Sequence, residues 1–79
     1  MLYDDAKIEE AVLALMGAFE FDKGRVWKGY DFGVMNALHE KGLITDPHGF
    51  AKSVNLTEDG KRMARELAAR HFAIDGSQP

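Results

Sequence analysis

Apolar residues recur at helical spacing over the first twenty positions. Ile8, Val12, Leu15 and Phe19 stand four, three and four residues apart, Leu13 and Met16 widen the stripe, and Lys7, Glu9, Glu10 and Ala14 lie off it. The pattern predicts a first helix over residues 3–20, capped by Asp4 or Asp5, with this stripe packed into the core. Its apolar residues reach round more than one face, which leaves room for a dimer contact. Residues 21–29, FDKGRVWKG, have two glycines and space for a short strand at Arg25, Val26 and Trp27, but not for a helix with its connections. Asp31 suits the cap of a second helix over 32–41, with Val34, Met35 and Leu38 inward and Gly33, Asn36, Ala37 and Glu40 outward.

The stretch 38–60 sets the order of the rest. Gly42 supplies the positive-φ residue that ends a helix, and Leu43 and Ile44 begin an extended segment. Asp46, Pro47 and Gly49 stand at the first, second and fourth places of a type I turn, which reads as a hairpin tip. Beyond it, Val54 and Leu56 alternate with Ser53 and Asn55 as in a half-buried strand. Thr57 suits the cap of a third helix over 58–72, with Glu58 and Asp59 favourable in its first turn. Gly60 stands where a capping box would carry Glu or Gln. On this helix Met63, Ala64, Leu67, Ala68 and His71 share one side.

The expected fold is mainly α with a small β-hairpin (α+β), three helices plus a two- or three-stranded antiparallel wing. Residues 1–73 form one domain and 74–79 a frayed C-terminal tail. The run Leu38, His39, Glu40, Lys41, Gly42, Leu43, Ile44, followed after a turn by Leu56, Thr57, Glu58, Asp59, Gly60, resembles the L-x-x-x-G-L-I … L-T-x-x-G signature of winged-helix regulators of the multiple-antibiotic-resistance and phenolic-acid-repressor types. A longer resemblance takes in Trp27, Lys28, residues 38–44, Asp46, Pro47, Lys52, Ser53, Val54, Leu56 and Thr57, and is similar to a small bacterial domain-of-unknown-function family. It covers most of the chain and implies no activity. The regulators place a further helix ahead of the recognition helix. Residues 21–29 depart from that pattern, so the helix-turn-helix reads as truncated.

Composition narrows the class. At 79 residues there is room for a single core of marginal stability. With 46% hydrophobic and 29% charged residues the chain belongs with globular rather than disordered sequences. It has no cysteine, which removes disulfides and thiolate metal sites, and no apolar run approaches the roughly 20 residues of a membrane span. A cytoplasmic protein without membrane attachment is expected. The net charge is −3, against the usual basic bias of duplex binders. Residues 1–20 hold five carboxylates against Lys7, net −4, which leaves +1 for the remainder. The acidic first helix could thus meet the basic third helix, with Lys61, Arg62, Arg65 and Arg70, within or between subunits.

Candidate chemistry is sparse. His39, His48 and His71 fall on different elements without metal-ligand spacing, and Gly24, Gly29 and Gly33 are too scattered for a phosphate loop. No enzyme, cofactor or metal site is expected. Trp27, Tyr30 and Phe32 lie among Lys23, Arg25 and Lys28, a mixture that can stack bases and hold phosphates; the reading preferred is a lid on the core with Trp27 buried. As a recognition helix, the second helix offers Asn36 as its one forked donor, with Glu40 repelling phosphate. At the hairpin, His48 and Lys52 could reach phosphates. Two functions follow. The first is a protein-interaction module working as a homodimer or with a protein partner; the alternative is a small DNA-binding regulator. The residues expected to touch nucleic acid or partner are Lys23, Arg25, Lys28, Asn36, Lys41, His48 and Lys52.

Overall fold

Each end of the first helix is set by a side chain or a backbone bond that the sequence supplies. A computed structural model describes residues 1–74, and the tail expected beyond Ile74 lies outside the described residues. Helix α1 runs Asp5–Ala18, with the Asp4 carboxylate accepting from the backbone of Ala6 at 2.9 Å and Lys7 at 3.3 Å. Strand β1, Arg25–Trp27, follows a tight turn in which Asp22, Lys23 and Gly24 are all left-handed, at φ 47°, 58° and 119°. Helix α2 is Phe32–Glu40, capped by Asp31 through Val34 N–H, strand β2 is Ser53–Asn55, and helix α3 is Glu58–Phe72.

The second helix ends in a Schellman motif. Gly42 N–H donates to His39 carbonyl and Leu43 N–H to Leu38 carbonyl, with Gly42 at φ 75°. Thr57 joins that end to the start of α3: its hydroxyl donates to Gly42 carbonyl at 2.7 Å and accepts from Gly60 N–H at 3.0 Å. Residue 60 is glycine because the backbone of Leu43 runs against it, and a Cβ there would overlap the Leu43 carbonyl. The missing capping-box residue is therefore the consequence of a close chain crossing.

Strand pairing differs from the expected hairpin. β2 pairs antiparallel with β1, Val26 opposite Val54, rather than chiefly with the arm that enters the turn. That arm pairs with the end of β2 and the residues just after it: Ile44 bridges to Leu56, Thr57 N–H donates to the Leu43 carbonyl, and Thr45 donates its N–H to the Asn55 carbonyl and accepts from Asn55 N–H through its hydroxyl. The loop satisfies its polar groups locally instead of in a ladder. Pro47 has no N–H to give, Asp46 accepts from His48 N–H at 2.9 Å in an Asx turn, and Lys28 Nζ donates to the Pro47 and Gly49 carbonyls, both at 2.8 Å. The fold remains mainly α with a small antiparallel sheet.

The core is one cluster of Leu13, Ala14, Met16, Val26, Met35, Leu38, Leu43, Ile44, Val54, Leu56, Ala64 and Leu67. α1 and α3 lie antiparallel, and their backbones meet at Gly17, where a Cβ would overlap the carbonyl of Ala64. This crossing turns Leu13, Ala14 and Met16 inward: of the expected core stripe Leu13 and Met16 are buried and Val12 packs against the core, whereas Ile8 and Phe19 are not part of it. Ile8 is 38% and Phe19 66% exposed, while Val12 and Leu15 are half-buried. On α3 the buried side is Gly60, Ala64 and Leu67, and Met63 and His71 are exposed. Trp27, expected in the core, is 56% exposed, because Val26 takes the inward place on β1 and alternation sends Arg25 and Trp27 outward.

Candidate functional site

Of the seven residues expected to form a contact surface, Lys28, His48 and Lys52 come together about the 47–49 loop, Lys23 and Arg25 lie along the start of β1, and Asn36 and Lys41 belong to α2 and its C-terminal end. Lys41 forms an ion pair with Glu9 of α1, Asn36 Nδ2 donates to Glu40 at 3.5 Å, and Lys28 latches the 47–49 loop. His48 Nδ1 lies 2.5 Å from Asp46. Donation from the His48 backbone, and then from its ring, holds the Asp46 carboxyl below the usual carboxylate range. Arg25 sits 3.7 Å from Asp22. Lys23 and Lys52 form no ion pair among the described residues. The groove-facing side of α2 therefore presents a side chain tied to Glu40 and a lysine neutralised by α1, a poor arrangement for reading base edges.

The acidic and basic helices do meet within the chain. Glu20, just after α1, accepts from Arg65 Nε at 2.6 Å and Nη2 at 3.1 Å, a bidentate pair that raises the guanidinium pKa further. Glu10 lies 3.4 Å from His71 Nε2. Among the described residues no three His, Cys, Asp or Glu side chains converge as metal ligands would, and no helix is long and apolar enough to cross a membrane.

Two surfaces stand out once these pairs are assigned. The first is the flank of α1 with Ile8, Val12, Leu15 and Phe19. No residue of α1 before Leu13 and none of α3 after Leu67 is buried, so the outer halves of this helix pair lack a third layer. An open groove of about 340 Å³ lies on a different side of α1 from that flank, walled by Ala6, Leu13, Leu38, Leu43 and Leu67, with the Glu9–Lys41 pair at its edge. The second is the outward side of the sheet. Phe21 bridges to Arg25, and its ring lies against Trp27 with centroids 4.6 Å apart at 35°. The alternation Arg25, Val26, Trp27 was the signal that could have found it: a buried valine between them puts both neighbours outside.

A family model described as a domain of unknown function (DUF6429) matches residues 4–74. The chain belongs to the DUF6429 family. It is also similar to the uncharacterized protein y4hR of Sinorhizobium fredii (strain NBRC 101917 / NGR234), with 43% identity over 72 residues, 91% of this chain and 97% of that protein. No solved structure matches the chain. The DUF6429 match runs from the cap of α1 through the whole of α3, so both surfaces lie inside the family's domain. The expected resemblance to a small family of unknown function holds; the winged-helix resemblance is not confirmed by these matches.

Proposed function

We propose that this DUF6429 protein is a non-enzymatic interaction module that pairs with a second copy of itself through the flank of α1. The observation that carries the reading is the exposure of Ile8 and Phe19 at the two ends of a stripe whose middle residues, Val12 and Leu15, are only half-buried. The stripe's spacing of four, three and four is symmetric about the point between Leu13 and Ala14. An antiparallel second copy would set Ile8 against Phe19 and Val12 against Leu15, each contact made twice, as a two-fold interface requires. Ala11 and Ala18, both exposed beside the stripe, leave room for close approach.

Sedimentation over a concentration series tests this. The wild-type chain is expected to dimerise, and the double variant Ile8→Lys, Phe19→Lys to stay monomeric with unchanged helical circular dichroism, because both side chains are exposed in the monomer. A wild-type protein that is monomeric throughout would remove the proposal. The alternative, a regulator reading duplex DNA, is less well supported: Lys28, Lys41 and His48 each have a partner within the chain.

A further inference from the structure

We infer that the outward face of the small sheet is a stacking platform for single-stranded nucleic acid. It lies apart from the α1 flank and stands or falls independently of dimerisation. Phe21 and Trp27 pair on the side of the sheet that faces away from the core. Val26 and Val54 fill the inward side of the β1–β2 pair, so the core is complete without Trp27. The indole is nevertheless held: Phe21, set opposite Arg25 by the tight turn, lies against it at 4.6 Å, and 56% of the Trp27 surface stays open to solvent. A supported, exposed indole is a pre-ordered surface for a flat aromatic ligand, since the ring gives up little freedom on binding.

Charge decides which aromatic ligand. Residues 21–29 carry Lys23, Arg25 and Lys28 against one carboxylate, Asp22, a net +2 within a chain of −3. Lys28 is held by the 47–49 loop and Arg25 lies 3.7 Å from Asp22 in an exposed pair, which leaves Lys23 and Lys52 as the cations here without an ion pair or side-chain hydrogen bond among the described residues. Residues 50–57 add Lys52 and no carboxylate. Arg25 shares the outward side with Trp27, Lys23 sits at the turn end of β1, and Lys52 precedes Ser53, the strand partner of Trp27, at the other end. Cations thus flank the stacked rings along the strand direction. Bases that stack and phosphates that pair with the cations match that layout. Duplex DNA does not, because its base faces are already stacked on one another. Three-residue strands span about 10 Å, enough for about two bases, so the contact is short and of low sequence preference.

Trp27 is the one tryptophan of the chain, so its fluorescence reports this site directly. The full chain is titrated with oligo-thymidine and oligo-uridine single strands, and with a duplex of equal length. Single strands are expected to quench the indole and the duplex to leave it nearly unchanged. Raising salt from 50 to 200 mM should weaken single-strand binding about 7- to 18-fold, the range for two to three phosphate contacts. Followed by anisotropy of a labelled strand, Trp27→Ala should lower affinity about 5- to 150-fold, and Trp27→Phe, which keeps a ring on Phe21, should restore part of it. Three results would overturn the inference: no quenching and no anisotropy change with any single strand, equal quenching by duplex and single strand, or a concentration-dependent blue shift of the ligand-free protein, which would show that a second copy covers the indole.

Discussion

Two glycines carry more of the packing than their size suggests. Gly17 lets α1 and α3 touch backbone to backbone, and Gly60 does the same for the start of α3 and Leu43. In both places the atom in the way is a main-chain carbonyl, which cannot swing aside as a side chain can. Gly17→Ala and Gly60→Ala are each expected to destabilise the fold by about 1–3 kcal/mol, the range for overpacking, although alanine raises intrinsic helix propensity. Urea unfolding curves of the variants check this, and unchanged midpoints would show that the helices part freely. Asp46 gives a pH signature at the same scale. Its carboxyl is held low by His48, so the Asx turn is complete above the ordinary carboxylate pKa and is lost as pH falls through the lowered value. A carboxyl NMR titration should place Asp46 below the ordinary aspartate value, and His48→Ala should move it back only in part, because the largest cause is the His48 backbone N–H.

Among the elements, those with explicit end signals were the readable ones. Asp31, Gly42 and Thr57 do in the structure what their residue types promise, and α3 spans the predicted residues. Thr57 is the strongest case, with one hydroxyl serving both α2's exit and α3's entry. Thr57→Ala should cost about 1–2 kcal/mol, and Thr57→Ser, which keeps the oxygen, should recover most of it in thermal melts. α1 was harder, since it carries two apolar faces of similar strength. The inward one is chosen by the crossing at Gly17 and Ala64, and small residues leave no mark in a hydrophobic pattern. The hairpin was read only in part for a related reason: the arm at Ile44 does meet Leu56, but the longer pairing of β2 is with β1. Residue types at 46–49 fit a hairpin tip, but the strand that β2 prefers lies before α2, and nothing near the turn announces a partner so far back in the chain.

At the scale of the molecule, the chain is a slab of 40 × 37 × 19 Å, about two layers thick. A slab has much surface for its core, and here, among the described residues, twelve small to medium apolar residues form the interior while Ile8, Phe19, Trp27, Phe32, Phe50 and Phe72 stand open. Pairing along α1 would cover part of that surface and link stability to concentration. The melting temperature should therefore rise with protein concentration in the wild type. In the Ile8→Lys, Phe19→Lys variant it should be flat; a concentration dependence that persists there would place the interface elsewhere.

By itself the sequence determined the element order, the helix caps, the glycine stop of α2 and the strand at Arg25–Trp27, because each depends on residues within a few positions of one another. Which side of α1 turns inward, which strand β2 joins and whether Trp27 is covered were decided only by the tertiary structure. Those outcomes depend on backbones from distant parts of the chain coming close at Gly17 and Gly60, and on Val26 occupying the inward place that a tryptophan could otherwise have claimed.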